Sequence, residues 1–85
     1  MPYNYAEQRE RLFSIEGYNL VLDMWRQICI SFKAAGAMTS GAIVVNADGW
    51  DKLAAIDMLA ELGYLYKRPG HGDTTVLLPG PNYHK

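Results

Sequence analysis

Residues 59–78 read Leu59-Ala60-Glu61-Leu62-Gly63-Tyr64-Leu65-Tyr66-Lys67-Arg68-Pro69-Gly70-His71-Gly72-Asp73-Thr74-Thr75-Val76-Leu77-Leu78, and within them a helical period gives way to an extended one. Before Gly63, residues 48–62 carry Leu53, Ala55, Ile56, Leu59, Ala60 and Leu62 on one side at 3.6-residue spacing. Asp51, Asp57 and Glu61 lie opposite, together with Trp50. That spacing predicts an amphipathic helix with Asp48 as its N-cap and Gly63 as its stop. After Gly63, Tyr64–Arg68 and Thr74–Leu78 are rich in aromatic and β-branched residues, and turn formers separate them. They predict a β-hairpin over residues 64–78. A helix leading through a glycine into a hairpin indicates an α+β fold.

Upstream of that stretch, residues 18–35 form the clearest helical pattern. Tyr18, Val21, Leu22, Met24, Trp25, Ile28, Cys29, Phe32 and Ala35 share one broad face, so a long amphipathic helix is expected between Gly17 and Gly36. Leu20 and Ile30 break the stripe. Asn4 followed by Glu7 is a variant capping box and starts a short helix over residues 4–13. Residues 37–46 admit two readings. Ile43-Val44-Val45 favours a strand, whereas Thr39 or Ser40 would cap a short helix. Residues 79–85 read as a loose tail. The whole chain, 1–85, is expected to be one small helical domain with a C-terminal hairpin, its two main helices packed on a two- or three-stranded sheet.

Composition narrows the possibilities. The 85 residues are 49% apolar and 20% charged, with a formal charge of −1 and a single cysteine. One cysteine cannot close an internal disulfide, and no run approaches the ~20 apolar residues of a membrane helix. The N-terminus lacks the apolar stretch of a signal peptide. A cytoplasmic protein without cofactor or metal is the expectation. The charge is unevenly spread. Residues 1–36 are balanced, residues 48–63 hold four acids against Lys52, and residues 64–85 hold three bases against Asp73.

Met38-Thr39-Ser40-Gly41, the Ala47-Asp48-Gly49 turn and Leu59-Ala60-Glu61-Leu62-Gly63-Tyr64-Leu65 together resemble a winged helix-turn-helix domain spanning residues 39–78. The resemblance implies a helix ahead of residue 46, a wing from Tyr64 to Leu78, and DNA binding through the helix over 48–62. Lys67, Arg68 and His71 in the wing would touch phosphates, with Arg9, Arg11, Arg26 or Lys33 adding charge. Base and phosphate readers are mainly Arg, Lys, Asn, Gln and Ser. The outward side of that helix instead offers Trp50, Asp51, Ala54, Asp57, Met58 and Glu61, which disfavours docking on a polyanion. The rival architecture is a plain α+β sandwich, with residues 42–45 as a third strand.

Large amphipathic rings at surface positions are frequent anchors of protein interfaces. Trp50, Asp51, Asp57, Glu61, Tyr64 and Tyr66 are therefore the expected partner-binding residues, and the acids among them suit a protein with a basic surface. Gly70-His71-Gly72-Asp73 joins two strands and reads as a hairpin turn rather than a phosphate loop. His71, Asp73 and His84 are too dispersed for a metal site. Cys29 falls on a core stripe, where a thiol is inert. The function expected is that of a non-enzymatic regulatory binding protein acting by protein–protein contact, and as a homodimer. In its brevity it is similar to accessory proteins of phages and mobile elements, a likeness that implies inhibition of a host factor or defence complex. The alternative is a dimeric winged-helix DNA-binding transcriptional regulator.

Overall fold

The computed structural model describes residues 3–38, 41–46, 49–72 and 74–83, with residues 37 and 38 described in their backbone only. Its elements, in chain order, are α1 (Tyr5–Arg11), α2 (Ile15–Met38), β1 (Ile43–Asn46), α3 (Trp50–Glu61), β2 (Leu65–Pro69) and β3 (Thr74–Pro79). The strands form an antiparallel sheet in the order β1-β3-β2. Helices α2 and α3 pack on one face of it, and α1 packs on α3. The expected α+β class is thus observed.

Of the segment with two readings, residues 43–46 form a strand, while its first two residues end α2. Ile43 pairs opposite Leu77 and Asn46 opposite Thr74, so β1 completes a third strand beside β3. Three β-branched side chains in a row suit the ladder that β3 presents. A helix over residues 43–46, as the winged-helix resemblance requires, is therefore replaced by pairing. Thr39 and Ser40, the expected caps of that helix, lie outside the described residues, as does Asp48, the expected N-cap of α3.

The long helix exceeds its expected bounds at both ends. Gly17 does not separate two helices; it sits in the first turn of α2, where its N–H donates to Ser14 Oγ at 3.0 Å. Ser14 thus caps the helix three residues earlier than expected. Gly36 is likewise inside α2 rather than at its stop. At the other termini the local signals hold. Asn4 Oδ1 accepts from Ala6 N–H at 3.0 Å to open α1, which ends at Arg11 rather than at residue 13. Gly63, at φ +83°, ends α3. The Gly63 N–H reaches the Ala60 carbonyl and the Tyr64 N–H reaches that of Leu59, both at 3.0 Å, the paired bonds of a left-handed helix stop.

The core is Ile28 and Phe32 from α2, Ile56 and Leu59 from α3, Leu65 from β2 and Leu77 from β3. Two positions of α3 differ from the simple two-sided reading. Ala54, expected outside, is fully buried because α1 covers that side of the helix. Leu62, expected inside, is 53% exposed because the chain has already turned at the helix end. The expected loose tail is docked through Tyr83. Asn82 N–H donates to the Gly63 carbonyl at 2.8 Å, and its side-chain amide donates to the Leu62 carbonyl at 2.8 Å. The Tyr83 ring meets Trp25 and Phe32 edge-on, at 6.0 and 5.4 Å between centroids. Residues 84 and 85 lie outside the described residues.

The two glycines of α2 give substitutions of opposite sign. A Cβ at Gly17 would stand 2.4 Å from Leu12 Cα, backbone that cannot swing aside, whereas a Cβ at Gly36 would meet nothing within 4 Å. Gly36→Ala should raise stability by up to ~1 kcal/mol through helix propensity alone. Gly17→Ala should lower it despite the same propensity gain, and urea denaturation of both variants measures the pair.

Candidate functional site

The acidic edge of α3 is built by helical spacing. Asp57 and Glu61 are four residues apart and so lie one turn above each other. Helix α1 and the residue ahead of its cap, Tyr3, rest against this edge and deliver three donors. The Tyr3 hydroxyl donates to Asp57 Oδ2 at 2.6 Å, the Tyr5 hydroxyl to Glu61 Oε2 at 2.6 Å, and Arg9 Nε to the same Glu61 oxygen at 3.1 Å. From the other flank, Lys67 Nζ donates to Asp57 Oδ1. Both carboxylates thereby receive charge-assisted hydrogen bonds, which are stronger than neutral ones. Only 11% of the Asp57 side chain remains exposed, against 49% for Glu61.

The titration of these groups follows from that geometry. Burial, and then the hydrogen bond to Asp57, push the Tyr3 hydroxyl far above its ordinary value. Tyr5 is pushed up to about 12 by burial and by its bond to Glu61. Glu61 is held below the usual carboxylate range chiefly by the Tyr5 hydrogen bond; burial, next in size, opposes this, and the Arg9 charge and hydrogen bond add to the lowering.

The residues expected to bind a partner fall in three places. Trp50, Asp51, Asp57 and Glu61 run along the α3 edge. There Trp50 is 41% exposed and meets the Tyr3 ring edge-on at 6.4 Å, while Asp51 is exposed. Tyr64 belongs to the aromatic cluster of the core, 5.3 Å from the Trp25 ring centre. Tyr66 is 56% exposed on the opposite face of the sheet. Of the three residues assigned to phosphate contact, Lys67 faces α3 and bonds Asp57, whereas Arg68 and His71 are exposed.

The sheet's outer face follows from the register. Val44, Val76 and Arg68 lie side by side across the three strands, and Tyr66 pairs with Leu78 beside them. Opposed residues share a face, so these five side chains form one surface. Val44 is 66% exposed there, while Val76 and Leu78 are half-buried.

A further patch went unread in the sequence. Phe13 and Ile15 at the α1–α2 turn, Tyr18 on α2 and Leu62 at the end of α3 are 68%, 82%, 62% and 53% exposed. Phe13, Tyr18 and Leu62 border a groove of about 360 Å³ whose walls include Leu22, Trp25, Met58 and Tyr64. Tyr18 falls on the core face of the expected long helix, Phe13 closes the expected short one, and Ile15 lies between the two. The only local hint was a run of large apolar residues across a helix boundary.

Other candidates are quieter. The Cys29 thiol is half-buried, and burial pushes its pKa up, which keeps it protonated. Strands β2 and β3 are closed into a hairpin by the Gly70 N–H on the Thr74 carbonyl and the Thr74 N–H on that of His71, each at 3.2 Å. Asp73 and His84 lie outside the described residues. Among those described, no group of three or more His, Cys, Asp or Glu could hold a metal ion. No described helix is long and apolar enough to cross a membrane. Compared with known proteins, the chain matches no family model, no curated protein and no solved structure.

The latch between α1 and α3 has a definite pH signature. A lowered Glu61 contributes stability above the ordinary glutamate range, and that contribution is lost as pH falls through the lowered value. A raised Tyr5 contributes below about pH 10, and the contribution is lost as pH climbs through about 12. Tyr5→Phe should therefore destabilise the protein across the neutral range, with the gap to wild type narrowing in acid and above about pH 10. Absorbance titration should show, in the wild type and not in Tyr5→Phe, a tyrosine that ionises at about pH 12.

Proposed function

We propose that this protein is a non-catalytic regulatory module that acts by protein–protein contact through the outer face of its sheet. The observation that carries this reading is the open row Val44–Val76–Arg68 with the Tyr66–Leu78 pair beside it, since Val44 and Tyr66 remain 66% and 56% exposed. An aliphatic surface with one aromatic and one arginine has the composition of an interface core, where aromatic residues and Arg are enriched and other charges depleted. Arg68 selects the partner's chemistry: an apolar protein surface carrying a carboxylate opposite the guanidinium. Trp50 and Asp51, both exposed, extend the contact only for a partner large enough to reach the α3 edge. Inhibition of a host factor or defence complex by occupying its surface needs nothing beyond such a face.

The non-catalytic part of the reading draws on the chemistry of the reactive groups. The Cys29 thiol is shifted away from its nucleophilic form, and Asp57 and Glu61 are spent on bonds to α1 and β2. Neither carboxylate is placed as a free acid or base.

The test is affinity purification from the native cell, followed by titration of the identified partner with purified variants. Val44→Asp and Tyr66→Asp, at exposed positions that the fold tolerates, should each weaken binding at least ten-fold, while Glu7→Gln on α1 leaves it unchanged. Equal affinity for all three would remove the sheet face from the account. The alternative, a dimeric winged-helix DNA-binding regulator, draws on the exposed Arg68 and His71 of the hairpin. A mobility shift with mixed duplex DNA at low salt decides it. Tight binding that collapses as salt rises would establish the alternative, since phosphate contacts release counterions.

A further inference from the structure

The apolar groove and the ridge beside it form a second surface, independent of the sheet's outer face. The ridge is the exposed apolar run of Phe13, Ile15 and Tyr18 where α1 turns into α2, bordering a second, shallower hollow, and the groove runs from them along α2 and the end of α3. We infer that this surface is the contact between two copies of the chain, in which the ridge of each copy enters the groove of the other around a two-fold axis.

Three features select a second copy as the occupant. First, the surface is self-compatible in charge. None of the residues lining the groove is Asp, Glu, Lys, Arg or His. A two-fold interface brings each patch against itself, so any net charge on it would oppose its own sign, and an uncharged patch escapes that repulsion. Second, the area is of the right order. Phe13, Ile15, Tyr18 and Leu62 alone present roughly 400 Å² of apolar surface, given ~150–250 Å² for an aromatic side chain and about half that for an aliphatic one. That is about half of the ~800 Å² per subunit that a stable pair buries, and the half-buried groove walls contribute further area. Third, the exposed apolar run and a hollow of about 360 Å³ adjoin and share Phe13 and Tyr18, so that one continuous apolar face meets its own copy.

The charged group that reaches the ridge, Arg9, does not oppose this arrangement. Arg9 stacks over the Phe13 ring, its guanidinium carbon 5.2 Å from the ring centre, and is paired with Glu61. The rim at that end is therefore already neutralised within each copy.

Ile15 is the test position, because a side chain 82% exposed in the single chain can be changed without opening the core. Sedimentation equilibrium of the wild type should give twice the 9.5 kDa chain mass in the micromolar range. Ile15→Glu places like charges across the two-fold axis and should raise the dissociation constant at least ten-fold while the circular dichroism spectrum stays unchanged. Val44→Asp, on the other surface, should leave the dimer intact. A wild type that sediments as a 9.5 kDa monomer at hundreds of micromolar overturns the inference, as does an Ile15→Glu variant with undiminished dimerisation.

Discussion

Helix α3 is the constraint on which the rest depends. Its twelve residues must satisfy three neighbours at once: α2 and the sheet on the apolar side, and α1 on the other. Ala54 and Ala55, both fully buried, make this possible, because small side chains let flanking elements approach closely. Ile56 and Leu59 then fill the space between α2 and the sheet, against Ile28, Phe32, Leu65 and Leu77. A helix surrounded in this way leaves only a narrow edge for charge, and Asp57 and Glu61 occupy it.

The use of that edge determines which surfaces are free for other molecules. A helix of seven residues is unstable in water by itself, so α1 persists only by docking. It docks through apolar burial at Leu12 and through Tyr3, Tyr5 and Arg9 on the two carboxylates. The acids that would attract a basic partner, or repel DNA, are largely answered from within. Large apolar residues also remain outward, on the sheet face around Val44 and Tyr66 and on the ridge and groove around Ile15. In the proposed function, recognition would accordingly rest on shape and apolar burial, with Arg68 as the charged selector.

Much of this architecture was legible locally. The change of period at Gly63, the cap at Asn4 and the core positions Ile28, Phe32, Ile56 and Leu59 all follow from side-chain spacing and backbone chemistry. The strand at residues 43–46 was one of two readings, because four residues are too few for periodicity to decide and the ladder on β3 does so instead. The start of α2 differs from the expected one because the capping hydroxyl belongs to Ser14 and Gly17 continues the helix instead of breaking it. Contacts between distant parts of the chain were illegible. Tyr3, Tyr5 and Arg9 lie 54, 56 and 52 residues from the carboxylates they bond, and no local pattern announces such pairs. The docking of Tyr83 on Trp25 and Phe32, and the burial of Ala54 beneath α1, share that cause.

Hydrogen exchange of the α1 amides tests most directly whether α1 is latched onto the acidic edge of α3. Seven residues of free helix exchange at unstructured rates, so any protection reports docking. The account predicts protected amides at Arg9, Glu10 and Arg11 in the wild type. In Glu61→Gln that protection should fall selectively, while the amides of Ile28, Phe32 and Leu77 keep theirs. Wild-type α1 amides that exchange as fast as an unfolded peptide would contradict it.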